Sequence, residues 1–459
     1  MPIPVIAIFD VGKTNKKLFL IDDNYQIVYE RSARFVETVD EDGEPCENLE
    51  SLRSSVYDSL QQVSKMGEFE IKAINFSTYG ASFVYLDEKG EPLTPLYNYL
   101  KPYPETLKQE FYAKYGGEEQ LSLETASPVL GSLNSGLQLY RLKKERPELF
   151  AKVKWALHLP QYLSYLITGK AVADITSIGC HTHLWDYTKD QYHQWVMEEG
   201  LAIKFGEFTP ADSSSIAVYE GKSYHVGVGL HDSSAALIPY LANLSTPFAL
   251  LSTGTWCISL NPFNQDPLTA AELKQDCLCY MQFKGKAVKA SRVFAGNEHE
   301  YQLKRIADHF DRAAYLFKHL KFNPGLFLKL GTKVPENQHP QLEFSAVSAF
   351  EKRDLTLFNT AEEAYHQLIV DLVKQQVYSL KLVLNSGVKR VFVDGGFSKN
   401  AIYMHLLAIS IPDIEVYASS VAQATAIGTA LSINDAWNNN PVPSDIIELK
   451  YYSFIQRTL

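Results

Sequence analysis

Apolar and polar positions along the chain fall into blocks whose length and spacing predict its elements. Val5–Phe9 and Lys17–Ile21 are apolar runs too short for helices and read as two strands, joined by a turn rich in Gly, Lys, Thr and Asn. Residues 48–67 place Leu52, Val56, Leu60 and Val63 at helical spacing. Strands are predicted at Ile71–Phe76 and Phe83–Leu86, and helices at Ser135–Leu149 and Leu159–Thr168. In the second half, Thr360 with Glu363 three residues on forms a capping-box pattern. The helix it opens carries Tyr365, Leu368, Leu372, Val377, Leu380 and Leu384 on one face and is expected to stop at Gly387. A strand at Val388–Val393 follows, then an Asp394-Gly395-Gly396 turn with Ser398 as helix cap. A helix at Lys399–Ile409, a strand at Ile414–Tyr417 and a helix at Val421–Ser432 complete the series. Strands alternating with helices predict an α/β protein.

One device occurs twice. Residues 247–262, PFALLSTGTWCISLNP, repeat the opening arrangement: an apolar run (Phe248–Leu251), a small-polar glycine turn and a second apolar run (Trp256–Leu260). Repetition half a chain apart suggests two related domains, each opening with a hairpin. The split falls near Leu241–Pro247, giving expected domains 1–244 and 245–459. Gly12-Lys13-Thr14 in the first turn ends like a P-loop, but position 7 is Ala where that motif needs glycine, and a strand follows where it needs a helix. A phosphate bound here belongs to another architecture. The third glycine turn, in VFVDGGFSKN (391–400), closes a wholly apolar strand, where a ligand can approach the backbone of an open α/β sheet.

Composition narrows the classes. The 459 residues exceed one ordinary core and suggest two large domains. A formal charge of −10 with dispersed Lys and Arg argues against nucleic acid as the main partner, because backbone binding needs a basic patch. A nucleotide needs only a few local cations. Cysteines 46, 180, 257, 277 and 279 show no metal-ligand or disulfide spacing and read as reduced thiols. No basic region precedes the N-terminal apolar run, which Asp10 interrupts, so no signal peptide is expected. No stretch approaches the ~20 apolar residues of a membrane span. The expectation is a soluble, cytoplasmic protein without membrane or nucleic-acid partners; a homodimer is compatible with any exposed helix face.

The order of these pieces resembles the sugar kinases of the FGGY carbohydrate kinase family, over nearly the whole chain. DVGKTNKK resembles the first phosphate motif of that family and LLSTGTW the second. DGGFSKN with QATAIGTAL resembles its adenosine motif and closing helix. HLPQYLSYLITGK (158–170) with Asp174-Ile175-Thr176-Ser177 resembles its mid-domain signature, and STYGASFVYLDEKGEPLTP (77–95) its sugar-side segment. Within the family the rhamnulose kinases are closest in look, through Thr78-Tyr79-Gly80-Ala81-Ser82-Phe83 and His231-Asp232-Ser233. The resemblance implies two actin-like ATPase (ribonuclease H-like) domains flanking a central cleft, with ATP and Mg²⁺ as cofactors. It implies that Lys13, Thr14, Asn15, Lys16, Lys17, Thr255, Gln302 and Gly396 contact ATP on the C-terminal side. On the N-terminal side Gly80, His231 and Ser233 would contact sugar, Asp10 would hold the metal, and Asp232 would be the catalytic base. Three positions depart from the pattern: Ser82 stands where aspartate is expected, an asparagine expected upstream of Gly296 is missing with Asn297 as substitute, and Gln423 replaces the usual glutamate.

Bottom-up, the chemistry concentrates in VGLHDSSAALIP. Phosphoryl transfer asks the protein for positioning, charge neutralisation and a base for the attacking hydroxyl. A carboxylate within hydrogen-bond reach of that hydroxyl serves as the base. Asp232 fits that role or simply caps the small-residue helix that follows, and the two are compatible. Asp10 at the end of the first strand suits either a hydrated Mg²⁺ or a turn hydrogen bond. Tyr79, Tyr97 and Tyr99 are candidates to stack on sugar among the chain's 27 tyrosines. The implied reaction is ATP-dependent phosphorylation of a ketose at a primary hydroxyl, L-rhamnulose or L-fuculose giving the 1-phosphate, with a pentulose such as xylulose or ribulose as the alternative. A non-catalytic sugar or nucleotide sensor and a polypeptide-directed ATPase are the rivals from other classes.

Overall fold

The computed structural model describes residues 1–13, 15–33, 37–333, 348–421 and 423–452. The chain divides into two compact units. The first comprises Met1–Ser245, Cys279–Ala287 and Ala422–Ile446; the second comprises Thr246–Leu278, Val288–Val421 and Ile447–Leu459. The chain therefore returns twice to the first unit after leaving it.

In the first unit one sheet runs in the order Ser214–Tyr219, Lys222–Gly227, Phe69–Thr78, Ile3–Val11, Lys16–Asp22 and Ile27–Ala33, and Leu230–His231 also pairs with Phe69–Thr78. Ile3–Val11 forms the expected antiparallel hairpin with Lys16–Asp22 and lies parallel to Phe69–Thr78. Val5 to Ile8 are wholly buried, because this central strand is covered on both faces. Val5, Ala7 and Phe9 pack with Leu52, Val56 and Leu60 of helix Leu49–Ser64 and with Leu159 and Leu163 of helix Leu159–Thr168. The alternating residues Ile6 and Ile8 point to the other face. Helix Ala424–Ser432 lies against the sheet and packs on helix Asp232–Asn243. There a Cβ on Gly428 would stand 1.8 Å from the Ala235 carbonyl oxygen.

The second unit repeats the topology. Phe248–Thr253 pairs antiparallel with Cys257–Asn261 and parallel with Arg390–Gly395, which is followed by Glu415–Ser420 and Glu448–Tyr452. Helices Ala361–Val383 and Ala401–Ser410 pack through Leu368, Leu372, Leu380, Ile402 and Leu406 into a core shared with Leu251, Val391 and Val393.

Several boundaries differ from expectation for local reasons. The helix predicted over Ser135–Leu149 breaks at Arg146 into Ser135–Glu145 and Pro147–Lys152, because proline cannot continue a helix but starts one well. Thr360 caps its helix through Glu363 N–H, yet the Glu363 carboxylate accepts from Asn359 N–H, so only half of the box forms. That helix ends at Val383, short of Gly387. Asn400, not Ser398, caps helix Ala401–Ser410; Ser398 Oγ donates to the Gly395 carbonyl within a tight turn. The helix predicted from Val421 starts at Ala424, after Gln423 at φ +52°. Among the described residues no helix is long and apolar enough to cross a membrane.

Gly428→Ala forces the two helices apart at backbone level and is expected to lower unfolding stability by about 1–3 kcal/mol. Gly387→Ala, where the nearest atom is 3.6 Å away, is expected to change it little. Urea midpoints of the two variants provide the check.

Candidate functional site

Strand register assembles the chemistry of the first unit. Asp10 stands opposite Ser77 across the parallel pair, while Leu230 pairs with Ser77 and His231 with Thr78. Three strand ends thus bring Asp10, Ser77 and the His231-Asp232 step to one edge, the carboxyl ends where open α/β sheets bind ligands. Ser77 Oγ donates to Asp10 Oδ1 at 3.0 Å. Burial, then the negative charge of Asp232, pushes the Asp10 carboxyl up to about 6, against the Ser77 hydrogen bond and Lys17.

Asp232 is the first residue of its helix, with His231 at the N-cap position, so it is not itself the cap. Its Oδ1 accepts from Ser233 N–H at 2.6 Å and from Ser233 Oγ at 3.2 Å. A third of its side chain reaches solvent, from a recess deep enough that desolvation raises its carboxyl to about 6. His231 Nε2 lies 3.3 Å from Asp232 Oδ1 and 3.5 Å from Cys180 Sγ. Burial drives this imidazole down to about 4, so it is neutral near pH 7. Its ring stacks on Tyr280 (centroids 5.9 Å apart, 13° between planes). On another side it fills the space beside Gly80, where a Cβ would come within 2.8 Å of the ring. The mid-domain segment fixes its backbone: His231 N–H donates to Thr176 Oγ1 at 3.0 Å, and Thr176 Oγ1 donates to buried Asp174. Ala81, next to Gly80, sits at φ +64°, a left-handed conformation uncommon for a side-chain-bearing residue. Buried Ser82 points its hydroxyl at the Tyr97 carbonyl, 3.5 Å away.

The turn lysines all pair with glutamates of the first unit. Lys16 is buried, with Nζ 2.9 Å from buried Glu47 and 3.3 Å from the Lys13 carbonyl. Lys13 lies between Glu37 (3.4 Å) and Glu47 (3.6 Å), and Lys17 pairs with Glu30 at 2.8 Å. Asn15 is exposed; its carbonyl accepts from Gly12 N–H and closes the turn. Thr14 lies outside the described residues. Among the candidate tyrosines, Tyr79 and Tyr99 face each other at 5.7 Å, and Tyr99 feels the charge of Asp232, which adds to burial in raising its hydroxyl pKa. Tyr97 bonds Glu41 instead.

In the second unit the glycine turns share a pocket of about 630 Å³, of a size that suits a small-molecule ligand. Thr253, Gly254, Thr255, Gly296 and Gly396 line it together with His299, Tyr365, Lys318, Lys399 and Asn400. Gly396 N–H donates to the Thr253 carbonyl at 2.7 Å, Phe397 N–H to Thr253 Oγ1 at 3.0 Å, and Asn297 N–H to the Thr255 carbonyl at 3.2 Å. Gly395 adopts φ +88°, and a Cβ there would meet the Thr253 carbonyl oxygen at 2.1 Å. Gln302 does not reach this pocket: it is fully buried, donating to Glu298 and accepting from Arg305. His299, three residues earlier on the same helix, lines it instead. Tyr365 Oη joins His299 Nε2 (3.0 Å) to Asn400 Nδ2 (2.9 Å), an arrangement with no signature in the sequence. Gln423 and Asn297 are exposed.

Replacing Asp232 by Asn removes the like charge that helps hold Asp10 up. The Asp10 carboxyl is then expected to titrate below about 6, by carboxyl NMR of labelled aspartate. Ser77→Ala is expected to move it the other way, because the lost hydrogen bond favoured the ionised form.

Comparison with known proteins adds an independent finding. Residues 5–220 match the N-terminal domain of the FGGY family of carbohydrate kinases, and residues 245–320 match the carbohydrate kinase FGGY C-terminal domain. A rhamnulokinase of Halalkalibacterium halodurans is 29% identical over 265 residues, covering 54% of this chain and 54% of that protein. A rhamnulokinase of Mannheimia succiniciproducens is 26% identical over 264 residues, covering 56% and 54%. The match spans about half the length of these curated relatives. Among solved structures, a carbohydrate kinase from Novosphingobium aromaticivorans superposes with a TM-score of 0.80 at 20% identity, over 98% of this chain and 96% of that one. A xylulose kinase from Lactobacillus acidophilus gives 0.76 at 17% identity, over 98% and 94%. These likenesses show the fold, that of the actin-like ATPases.

Proposed function

The chain belongs to the FGGY family of carbohydrate kinases, and we propose that it transfers the γ-phosphoryl group of ATP to a primary hydroxyl of a ketose, with Asp232 as the base. The observation that carries this reading is the meeting of Asp10, Ser77 and Asp232 at one sheet edge, with a recessed Asp232 carboxyl raised to about 6. A base whose pKa lies close to the working pH combines the ionised form with real proton affinity.

The residues divide the work as follows. Ser233 and His231 engage Oδ1 of Asp232, so Oδ2 is the oxygen that takes the proton of the attacking hydroxyl. Neutral His231, held against Gly80 and Tyr280, presents a polar edge that orients the sugar. Tyr99 supplies an aromatic wall near Asp232. The pocket of the second unit takes the nucleotide. Its floor is the backbone of Thr253–Thr255 and Gly396, and the His299–Tyr365–Asn400 network offers fixed polar atoms to the base. Asp10 suits a hydrated Mg²⁺: its charge is disfavoured by burial and by Asp232, and a nearby cation relieves both. Such an ion supplies charge neutralisation for the phosphates. Of the first turn, Lys13 is the cation nearest to freedom, since Lys16 and Lys17 are held by Glu47 and Glu30.

For the substrate we favour a deoxyketohexose such as L-rhamnulose or L-fuculose, phosphorylated at C1, because the two sequence relatives described above are rhamnulokinases. A pentulose is the second choice, favoured by the xylulose kinases among the fold neighbours.

Phosphoryl transfer from labelled ATP across a ketose panel tests the reading. Asp232→Asn is expected to keep the fold and ATP binding while losing transfer by ~10²–10⁴. An Asn variant as active as the parent removes Asp232 from its role. Sugar binding without transfer to any ketose would make the protein a sensor. Gly80→Ala pushes on the His231 ring and is expected to lower kcat/KM for the ketose about a hundredfold with ATP affinity unchanged.

A further inference from the structure

Cys180, His181 and His231 present one potential ligand atom each, and these atoms lie within 4.8 Å of one another in a buried cluster. The sequence spacing gave no hint of it, because His231 is brought in by the pairing of Leu230–His231 with strand Phe69–Thr78. Two separations match the edges of a metal tetrahedron. With a Zn–N bond of about 2.0–2.1 Å and a Zn–S bond of about 2.3 Å, tetrahedral geometry puts nitrogen and sulfur ligands about 3.5 Å apart, and nitrogen and carboxylate oxygen about 3.3 Å apart. His231 Nε2 stands 3.5 Å from Cys180 Sγ and 3.3 Å from Asp232 Oδ1. The His181 ligand atom lies within 4.8 Å of the other two.

We propose that Cys180, His181 and His231, with the Asp232 carboxylate as fourth donor, form a site for a thiolate-seeking divalent cation of the Zn²⁺ type, and that filling it silences phosphoryl transfer. Thiolate and imidazole select Zn²⁺ over Mg²⁺, which demands oxygen ligands and keeps its water. The recess therefore separates two cations by softness: Asp10 offers oxygen alone, the cluster offers sulfur and nitrogen. On binding, the Cys180 thiol loses its proton to solvent and its sulfur bonds the metal. The Asp232 oxygens are then engaged or polarised by the cation, and the base has no lone pair basic enough for the substrate proton. The binding site stands on its own geometry; the silencing rests on the reading of Asp232 as the base.

Co²⁺ titration of the full chain, freed of metal beforehand, reads the binding without reference to activity. One equivalent with a thiolate-to-cobalt charge-transfer band, displaced by Zn²⁺, is expected. Cys180→Ser is expected to abolish the band, and His181→Asn to weaken Co²⁺ binding by about tenfold or more. Both variants should unfold near the parent's midpoint; Cys180→Ala replaces the serine if that one does not. Under equal total Zn²⁺, transfer by the parent should fall and that of Cys180→Ser should persist. Absence of the band, or its survival in both Cys180 variants, overturns the site and leaves a hydrogen-bonded cluster only. A band with uninhibited transfer overturns the silencing, and the Asp232→Asn assay then judges the base separately.

Discussion

The register of the parallel pairing between Ile3–Val11 and Phe69–Thr78 is the constraint on which the site of the first unit depends. Side chains alternate with a period of two, so a slip by one residue would send Asp10 and Ser77 to opposite faces. What prevents the slip is the apolar filling of both faces at Val5–Ile8 and at Ala73, Ile74 and Phe76. The register is already irregular between Val5 and Ile6, before the strand reaches Asp10, and regular from there to Val11. Core packing remote from the strand ends thereby sets Asp10 beside Ser77.

Ionisation in the recess is costly. Asp10 and Asp232 are both raised to about 6 and His231 is depressed to about 4, because burial makes the charged form of each group more costly than in water. The lysines of the glycine turn relieve the pair only in part: Lys17 lowers the Asp10 carboxyl while paired with Glu30, and Glu47 holds Lys16 and borders Lys13. A recess with raised carboxyls and self-neutralised lysines calls for its positive charge from outside the protein. This is why it can discriminate among cations by ligand type and not by charge alone.

Short-range patterns in the sequence were enough for the hairpins and most helices, because apolar runs and glycine turns are local signals. The missed residues are those whose neighbours come from elsewhere in the chain. Ser77 gains its meaning only when paired with Asp10, and Cys180 and His181 only when His231 is laid beside them. Gln302 and His299 belong to one helix face, and periodicity identifies the face without saying which turn meets the pocket. The cap exchange between Ser398 and Asn400 has a similar cause: either side chain can cap, and the extra turn at Phe397–Lys399 moves the helix start by two residues.

The glycines of the second unit carry a different lesson. Gly296 would place a Cβ 1.9 Å from the Gly254 carbonyl oxygen, and Gly395 would place one 2.1 Å from that of Thr253. Both collisions are with backbone, which cannot rotate away. The glycines are thus required first for three chain segments to touch, and the pocket floor is a consequence of that contact. In the proposed role of nucleotide site, a floor made of backbone presents the same groups to every nucleotide. Discrimination among nucleotide bases then falls to side chains at the pocket wall, where Tyr365 locks His299 and Asn400 in place. His299 is depressed to about 4 by burial and so remains neutral there, able to accept or donate a hydrogen bond without adding charge to the pocket wall.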